Sequence, residues 1–408
     1  MCVTIETLPE VVNSPFDPWD ESHRADPKPF YAAMRESAPV YVGIGPVTRR
    51  RFWFLTRYDD VVDALRNPAL GREWQKLPEP LREQHHFEQE EEFEMVNRHL
   101  LNLDPPDHTR LRRLVSHAFT TKRIADLEPR IRELTNHLLD DLADGDDMIE
   151  KLALPLPITV IAELLGVPID DQAHFRDMVD RNLRGSSDQE MIAAGLELLG
   201  YVNEAINYRR SKPGEDLLSA LIHLEEDDDS LDHAELLSMV QLLLIAGHET
   251  TVNLIGNGMI ELMRHPDQQR RLLGDPGLLA TAIEEMLRFN GPVETPFPRF
   301  VYDSIEIGGQ QIPQGDVVIP VLMAACNDPE QFPDPEVFDI GREPNRHVAF
   351  GSGIHYCLGA PLARFEARIA IGSLLDRHPN ISMAIDDGDL HWNSGFFLRG
   401  VRALPVAL

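Results

Sequence analysis

A single predicted helix, from Ser230 to Arg264, is long enough to dictate how the rest of the chain packs around it. Ser230 can cap its first turn, and His265-Pro266 ends it, because proline cannot continue a helix. At about 1.5 Å per residue, this stretch of more than 30 residues extends for on the order of 50 Å. Such a helix crosses an entire domain, so we expect the other elements to pack along its sides.

Helical periodicity dominates the remaining chain, whereas strand patterns are short. Helical spacing of apolar residues occurs near 58–66, 108–118, 123–144, 157–166, 188–210, 233–264 and 277–289. Strand patterns occur at 51–56, 304–309 and 317–323 and in FFLRG near the C-terminus, with Gly308-Gly309 as a hairpin turn. The pattern predicts a mainly α chain with small β-sheets (α+β). We expect one domain over residues 1–408, with a β-rich edge from about 40–60, 290–325 and 380–408 and a helical core from about 100–290 and 357–376.

Net charge excludes two classes of partner. The chain has 38 Lys and Arg against 68 Asp and Glu, a formal charge of −30. Nucleic acids and anionic membranes both select basic surfaces, so neither is an expected partner. The acidic run Glu88 to Glu94 is expected to be a solvated surface.

Cysteine content and apolar stretches bear on the compartment. The three cysteines, Cys2, Cys326 and Cys357, form no disulfide framework, which favours a reducing environment. The N-terminal sequence has no secretory pattern. The most apolar stretch, Leu236 to Gly247, is too short and too polar to cross a bilayer. We therefore expect a cytoplasmic protein.

The middle of the long helix carries the sequence AGHETT, from Ala246 to Thr251, which breaks the local rules for a helix. Gly247 costs about 1 kcal/mol relative to alanine, and the Thr250 hydroxyl can bond to the Ala246 carbonyl and bend the helix. Such exceptions often mark functional sites, although a buried kink with a satisfied polar pair explains this segment equally well. HETTV lacks the second histidine of a zinc-protease helix, because Val252 stands in its place.

A second unusual segment is FGSGIHYCLGAPLAR, from Phe350 to Arg364. Cys357 follows a glycine-rich turn and precedes a helical pattern, and a thiolate is favoured at a helix N-terminus. Gly351, Gly353 and Gly359 would let the backbone approach a flat molecule closely. Taken alone, the cysteine could also be a small buried hydrophobic residue.

The pattern F-G-x-G-x-H-x-C-x-G, complete here from Phe350 to Gly359, resembles the haem-binding loop of the cytochrome P-450 family. AGHETT resembles the family's oxygen-activation motif, and Glu285 to Arg288 resembles its E-x-x-R pair. The segment from Asp104 to Thr120 is similar to the haem-contacting helix of soluble bacterial members. GPVETPFPRF and FPDPEVFDIGR look most like members that oxidise macrolides and steroids. The resemblance implies the P-450 fold, with the long helix crossing the haem.

The resemblance implies haem b as the cofactor, with the Cys357 thiolate as the iron ligand. His108 and Arg112 lie four residues apart on one helical face, so both can reach one anionic group. The family uses these positions for a haem propionate. The complete set of expected cofactor contacts is His108, Arg112, Ala246, Arg299, Phe350, Gly351, His355, Cys357 and Gly359.

Glu249 and Thr250 match the family's acid–alcohol pair, which helps to deliver protons to dioxygen at the haem. The pair favours O2 with electrons from separate proteins, and we expect a ferredoxin with an NAD(P)H-dependent ferredoxin reductase. Because ferredoxins are usually acidic, a local basic patch is expected near Cys357, formed by Arg110, Arg113 and Arg364. The protein is expected to be a monomer.

Two further sets of residues follow from the resemblance. Glu285, Arg288 and Arg342 match a buried ion cluster, to which we assign a structural role. The substrate pocket is expected to include Leu242, Leu243, Val293, Glu294, Phe297, Phe397 and Leu398, with Thr250. Glu294 could meet a polar group of the substrate, but a satisfied buried carboxylate is the favoured interpretation.

The leading functional hypothesis is a monooxygenase that inserts one oxygen atom of O2 into a lipophilic small molecule, such as a steroid, terpenoid, macrolide or fatty-acid-like compound. The same site could instead act as a peroxygenase, couple aromatic rings or form epoxides. A protein that binds haem or a lipophile without catalysis is the third alternative. Intact Glu249 and Thr250 argue against that last alternative.

Overall fold

The computed structural model describes residues 16–45, 50–82, 98–119, 121–167, 172–184, 187–223 and 231–408. The acidic run Glu88 to Glu94 and the predicted cap Ser230 lie outside these residues. Within them, helices form most of the regular structure, which confirms the predicted class.

In chain order, the α-helices are α1 (Lys28–Ser37), α2 (Tyr58–Arg66), α3 (Glu79–Arg82), α4 (Asp107–Ala118), α5 (Thr121–Asp126), α6 (Glu128–Asp140), α7 (Pro155–Leu165), α8 (Gln172–Arg184), α9 (Asp188–Ser211), α10 (Leu217–His223), α11 (His233–Arg264), α12 (Pro266–Gly274), α13 (Leu279–Asn290), α14 (Leu322–Cys326) and α15 (Ala360–Arg377). A π-helical turn, Ile149–Ala153, precedes α7. The helical pattern predicted over 123–144 is two helices, because the chain turns at Leu127 between α5 and α6.

Helix α11 is the predicted central helix, and its 32 residues run without interruption through AGHETT. It begins later than a Ser230 cap would place it. Asp232 is the N-cap, and its carboxylate and the Glu235 side chain form a reciprocal capping box. Helices α7, α9, α13 and α15 pack against α11.

Small residues on α11 let its neighbours approach closely. A Cβ atom at Gly247 would lie 2.8 Å from the Ile161 side chain of α7, and one at Gly258 would lie 2.6 Å from the Met286 sulfur of α13. Both glycines therefore have a packing reason, and the helical cost of Gly247 is offset by contact with α7.

The strands form one five-stranded sheet and two short pairs. The sheet has the order β1 (Val40–Ile44), β2 (Arg51–Leu55), β7 (Val317–Pro320), β4 (Arg299–Val301) and β3 (Leu70–Gly71), and only β2 and β7 are parallel. The pairs are β5 (Ile305–Ile307) with β6 (Gln310–Ile312), and β8 (Ser382–Met383) with β9 (Val406–Ala407). Gly308 and Gly309 form the predicted hairpin turn with φ of 56° and 79°. FFLRG is not a strand, and its Leu398 forms one isolated bridge with Val293.

Glu285, Arg288 and Arg342 form a buried ion cluster between α13 and the loop after α14. Arg288 makes a bidentate pair with Glu285, with both N–O distances 2.7 Å and both side chains fully buried. Arg342 approaches the same carboxylate at 3.1 Å. The guanidinium of Arg288 also donates to the carbonyls of Cys326 and Pro335. The cluster fixes the loop relative to α13, as expected for a structural role.

Removing one member of this cluster should cost far more than removing an exposed pair. Arg288→Ala leaves the Glu285 carboxylate buried without its main partner, so we expect the free energy of unfolding to fall by about 3–5 kcal/mol. Arg132→Ala is the control, because its 2.8 Å pair with Glu128 is exposed and should contribute no more than about 1 kcal/mol. Denaturant unfolding followed by circular dichroism measures both. Equal losses in the two variants would contradict the assignment.

Candidate active site

The Cys357 loop joins the fold at two fixed points. The Cys357 N–H donates to the Phe350 carbonyl at 3.0 Å, and α15 begins three residues later. Gly353 has a φ of 73°, and a Cβ atom there would lie 2.6 Å from the Leu65 carbonyl oxygen at the end of α2. A larger residue would clash at this position, so glycine lets the loop pack directly against the end of α2. This contact fixes the position of the loop that carries Cys357.

Burial raises the pKa of the Cys357 thiol. The backbone N–H groups of Gly359 and Ala360 and the guanidinium of Arg112 act in the opposite direction. These three groups favour the thiolate but do not overcome burial alone. A metal cation held by the sulfur would favour the thiolate further, because a coordinating thiol is deprotonated.

Four basic side chains from three separate segments converge beside this loop. His108 and Arg112 lie on α4, Arg299 lies on β4, and His355 precedes the cysteine. The rings of His108 and His355 are edge to face with centroids 4.5 Å apart. The positive charge of Arg299 reaches both histidines, and that of Arg112 reaches His108 and Cys357.

The electrostatics of this cluster call for an anion. Burial and the neighbouring cations lower the pKa of His108 to about 4 and that of His355 to about 2, and burial lowers the pKa of Arg299 to about 10. Both nitrogens of His108, Nε2 of His355 and Nε of Arg299 are buried without a hydrogen-bond partner in the part of the chain that the structure describes. Buried donors without acceptors are costly, so the site fits a ligand that carries carboxylates.

One face of α11 is open along the middle of an otherwise buried helix. Ala246 is exposed, and Leu242, Leu243 and Thr250 are half-buried, whereas Leu244 and His248 are buried. The Thr250 hydroxyl donates to the Ala246 carbonyl at 3.0 Å, as the sequence suggested. An accessible stripe of small and apolar residues at this spacing is typical of a helix face that contacts a ligand.

The Glu249 carboxylate lies beside this stripe. It is buried, and its nearest oxygen lies 4.0 Å from Nε2 of His248. Glu249 and Thr250 are adjacent in sequence. The buried carboxylate and the hydroxyl on the accessible face are therefore neighbours on α11.

The remaining predicted pocket residues come together at the end of the small sheet. Val293 and Leu398 form a β-bridge, and the rings of Phe297 and Phe397 lie 4.6 Å apart. Glu294 departs from the pocket assignment. Its carboxylate is fully buried and pairs with Arg24 and Tyr31 on the opposite side, so it is a satisfied carboxylate and not a contact for substrate.

The comparisons with known proteins agree with this geometry. A sequence model described as Cytochrome P450 matches residues 177–275 and 277–380. The chain is 44% identical to the cytochrome P450 monooxygenase PikC of Streptomyces venezuelae, covering 94% of this chain and 91% of PikC. The chain belongs to the cytochrome P450 family. This P450 is also 41% identical to a vitamin D(3) 25-hydroxylase of Pseudonocardia autotrophica, over 94% of both chains.

Solved structures place the fold in the same family. The myxobacterial P450 CYP267B1, crystallised in complex with myristic acid, superimposes with a TM-score of 0.89 and 42% identity over 95% of this chain and 98% of that chain. This P450 is therefore a haem-thiolate monooxygenase that binds haem b. No helix among residues 16–45, 50–82, 98–119, 121–167, 172–184, 187–223 and 231–408 is long and apolar enough to span a membrane.

The residues present fit this cofactor. The half-buried Cys357 suits the iron, and the unpartnered nitrogen atoms of His108, Arg299 and His355 suit the two propionates of haem b. The exposed Ala246 suits close approach to the porphyrin face. Phe350, Gly351 and Gly359 lie close to Cys357 in sequence, and their contact with the cofactor stays a prediction.

Two buried polar residues were not among the residues predicted from the sequence. His99 is buried with Nδ1 lacking a partner in the described chain, and the positive charge of Arg72 reaches it. Glu366 on α15 is fully buried, neither of its oxygens has a partner there, and burial raises its pKa well above the usual range. A charged residue on the apolar face of α15 was the available signal for Glu366.

The expected basic patch needs correction at two of its three positions. Arg110 pairs with Glu235 at the start of α11, and Arg364 makes a bidentate pair with Glu284 of α13 at 2.6 and 2.8 Å. Both guanidinium groups are therefore neutralised within the protein. Arg113 is exposed on the outer side of α4.

The adjacent residues Arg112 and Arg113 allow a matched test of the propionate contacts. Arg112 is half-buried close to Cys357, whereas Arg113 is exposed. If Arg112 contacts a propionate, Arg112→Gln removes a charge-assisted hydrogen bond, and we expect haem to dissociate about ten-fold faster or more. Arg113→Gln should leave the rate unchanged. Transfer of haem to excess apomyoglobin measures it, and equal rates in both variants would refute the role of Arg112.

Proposed function

We propose that this P450 monooxygenase oxidises a lipophilic small molecule bound between the accessible stripe of α11 and the wall formed by Val293, Phe297, Phe397 and Leu398. The observation that carries the proposal is that Thr250 lies on the accessible stripe of α11 beside Ala246, in a fold that also holds the Cys357 loop next to His108 and Arg112. The wall residues are apolar, which suits a steroid, terpenoid, macrolide or fatty-acid-like compound. Relatives include a vitamin D(3) 25-hydroxylase and a P450 crystallised with myristic acid, and both compounds are lipophilic.

Haem held by Cys357 supplies the activation of dioxygen. The role of the protein is to bring protons to that site. We assign this role to Glu249 and Thr250. The buried Glu249 carboxylate can carry a proton toward the accessible face. The Thr250 hydroxyl can accept that proton and pass on its own once its hydrogen bond to the Ala246 carbonyl opens.

Replacing each of two neighbouring threonines by valine tests this assignment. Thr250→Val removes the hydroxyl at the cavity and keeps the shape of the side chain, so product formed per NADPH consumed should fall about ten-fold, with release of hydrogen peroxide. Thr251→Val is the control, since Thr251 is buried on another face of α11. Peroxide and NADPH are measured with a lipophile that shifts the haem spin state. Tight coupling in the Thr250 variant would refute the proton role.

Use of peroxide in place of O2 is the second candidate function. Glu249 and Thr250 favour the O2 reaction, because a peroxide-driven enzyme does not need a proton-delivery pair. Turnover with hydrogen peroxide alone at the rate supported by redox partners would favour the peroxygenase. NADPH consumption without any oxidised product would favour a protein that only binds its ligand.

We further propose that electrons come from a ferredoxin and an NAD(P)H-dependent ferredoxin reductase. The ferredoxin docks on the face that carries the Cys357 loop. Ile354 and Tyr356 on this loop are exposed, as are Arg113 on α4 and Arg346 ahead of the loop. An acidic ferredoxin would contact such a surface through Arg113. The cytoplasmic location and the monomeric state also stay predictions from the sequence.

Charge reversal at Arg113 tests the docking face. Arg113→Glu should slow reduction of the haem by an acidic ferredoxin about ten-fold at low salt and weaken its dependence on ionic strength. Arg402→Glu is the control, because Arg402 is exposed on the C-terminal segment. Stopped-flow absorbance follows the reduction. An unchanged rate in the Arg113 variant would remove Arg113 from the docking face.

A further inference from the structure

The wall that carries Val293 and Phe297 is bonded along its backbone to two other segments. The Glu294 N–H donates to the Phe397 carbonyl at 3.0 Å, and the Met323 N–H donates to the Glu294 carbonyl at 3.2 Å. The Thr295 hydroxyl donates to the Phe396 carbonyl at 2.9 Å. Any displacement of Glu294 therefore moves both halves of the wall, Val293 to Phe297 and Phe396 to Leu398, together.

The side chain of Glu294 extends away from the cavity into the N-terminal part of the fold. Its carboxylate is fully buried, with one oxygen 2.8 Å from the Arg24 guanidinium and the other accepting from the Tyr31 hydroxyl. Arg24 precedes α1 and Tyr31 belongs to it. Arg24 also donates to the Gly395 carbonyl at 2.7 Å, so the same guanidinium holds the second half of the wall.

A second arginine closes this network. Arg399, directly after the wall residue Leu398, donates to the Arg24 carbonyl at 2.6 Å and to the Ala25 carbonyl at 3.0 Å. It also donates to the Asn290 side chain at 2.7 Å, at the end of α13. The network thus fixes the wall between the N-terminal segment and α13.

A buried ion pair adds little stability compared with apolar residues of the same volume, and its best-attested use is to fix a geometry. Burial raises the pKa of Glu294, and the Arg24 guanidinium acts against this shift. The geometry fixed here is the position of the wall relative to α11. We propose that Glu294, held by Arg24 and Tyr31, is a positioning residue that sets the depth of the substrate cavity and thereby selects substrates by size. This inference rests on the proposed function, since it takes Val293, Phe297, Phe397 and Leu398 as the substrate wall.

Two azoles of different size test the inference without a known substrate. Imidazole can ligate the haem without reaching the wall, whereas 4-phenylimidazole must fit its ring against it. In Glu294→Gln and in Tyr31→Phe, the ratio of the two dissociation constants should change about five-fold from wild type, in the same direction. Imidazole affinity and the carbon monoxide spectrum should stay as in wild type. Spectral titration of the haem-loaded protein gives both constants.

Asp316→Asn is the matched control, because Asp316 also holds an arginine and an aromatic donor. Its carboxylate lies 2.8 Å from Arg51 and accepts from the Trp53 ring N–H at 2.8 Å, and both of these partners belong to strand β2. The ratio should be unchanged in this variant. If Glu294→Gln does not fold, Tyr31→Phe decides, since it removes one hydroxyl only. A wild-type ratio in the folded variants, or an equal change in Asp316→Asn, overturns the inference, whereas a wild-type protein without thiolate-ligated haem overturns the proposed function.

Discussion

The architecture of this P450 depends on the Cys357 sulfur and on a nearby group of buried nitrogen atoms that lack hydrogen-bond partners among the described residues. Burial raises the pKa of Cys357, and the nitrogen atoms belong to His108, Arg299 and His355. Haem b would meet both requirements with one molecule, since its iron would bind the sulfur and its propionates would accept hydrogen bonds from these side chains. Ligands that bind only the folded state stabilise it, so folding and cofactor binding are coupled here.

The fold brings this arrangement about by fixing distant segments on one long helix. Gly247 and Gly258 let α7 and α13 pack close to α11, and the Glu285–Arg288 pair ties α13 to the loop that follows α14. Gly353 lies against the carbonyl of Leu65, and this contact fixes the position of the cysteine loop relative to α2. These contacts are short range and well packed, so a small change in one of them moves the groups that face the cavity.

The parts of the site that sequence alone predicted are those held in short, contiguous motifs. Cys357 and its glycines, and Glu249 with Thr250, each lie within a few residues, so their relation to one another is local. Partners of charged residues were not predictable in this way. These partners lie at least 80 positions away in the chain. The ion pairs are Arg110 with Glu235, Arg364 with Glu284, and Glu294 with Arg24.

The N-cap of α11 was predicted at the wrong residue for a different reason. Ser230 and Asp232 are both good N-cap residues, and the choice between them depends on the position three residues later. Glu235 stands in that position for Asp232 and completes a capping box. The deciding signal was therefore present in the sequence, as D-x-x-E ahead of an apolar run.

The absorption spectrum of the purified protein, reduced and treated with carbon monoxide, tests the central claim most directly. If Cys357 ligates the iron as a thiolate, the spectrum shows the long-wavelength Soret band typical of thiolate-ligated haem. Bound haem without that band would mean that the sulfur is protonated or displaced, and would contradict the account of the site. Purified protein that cannot be loaded with haem would contradict the account both of Cys357 and of the group formed by His108, Arg299 and His355.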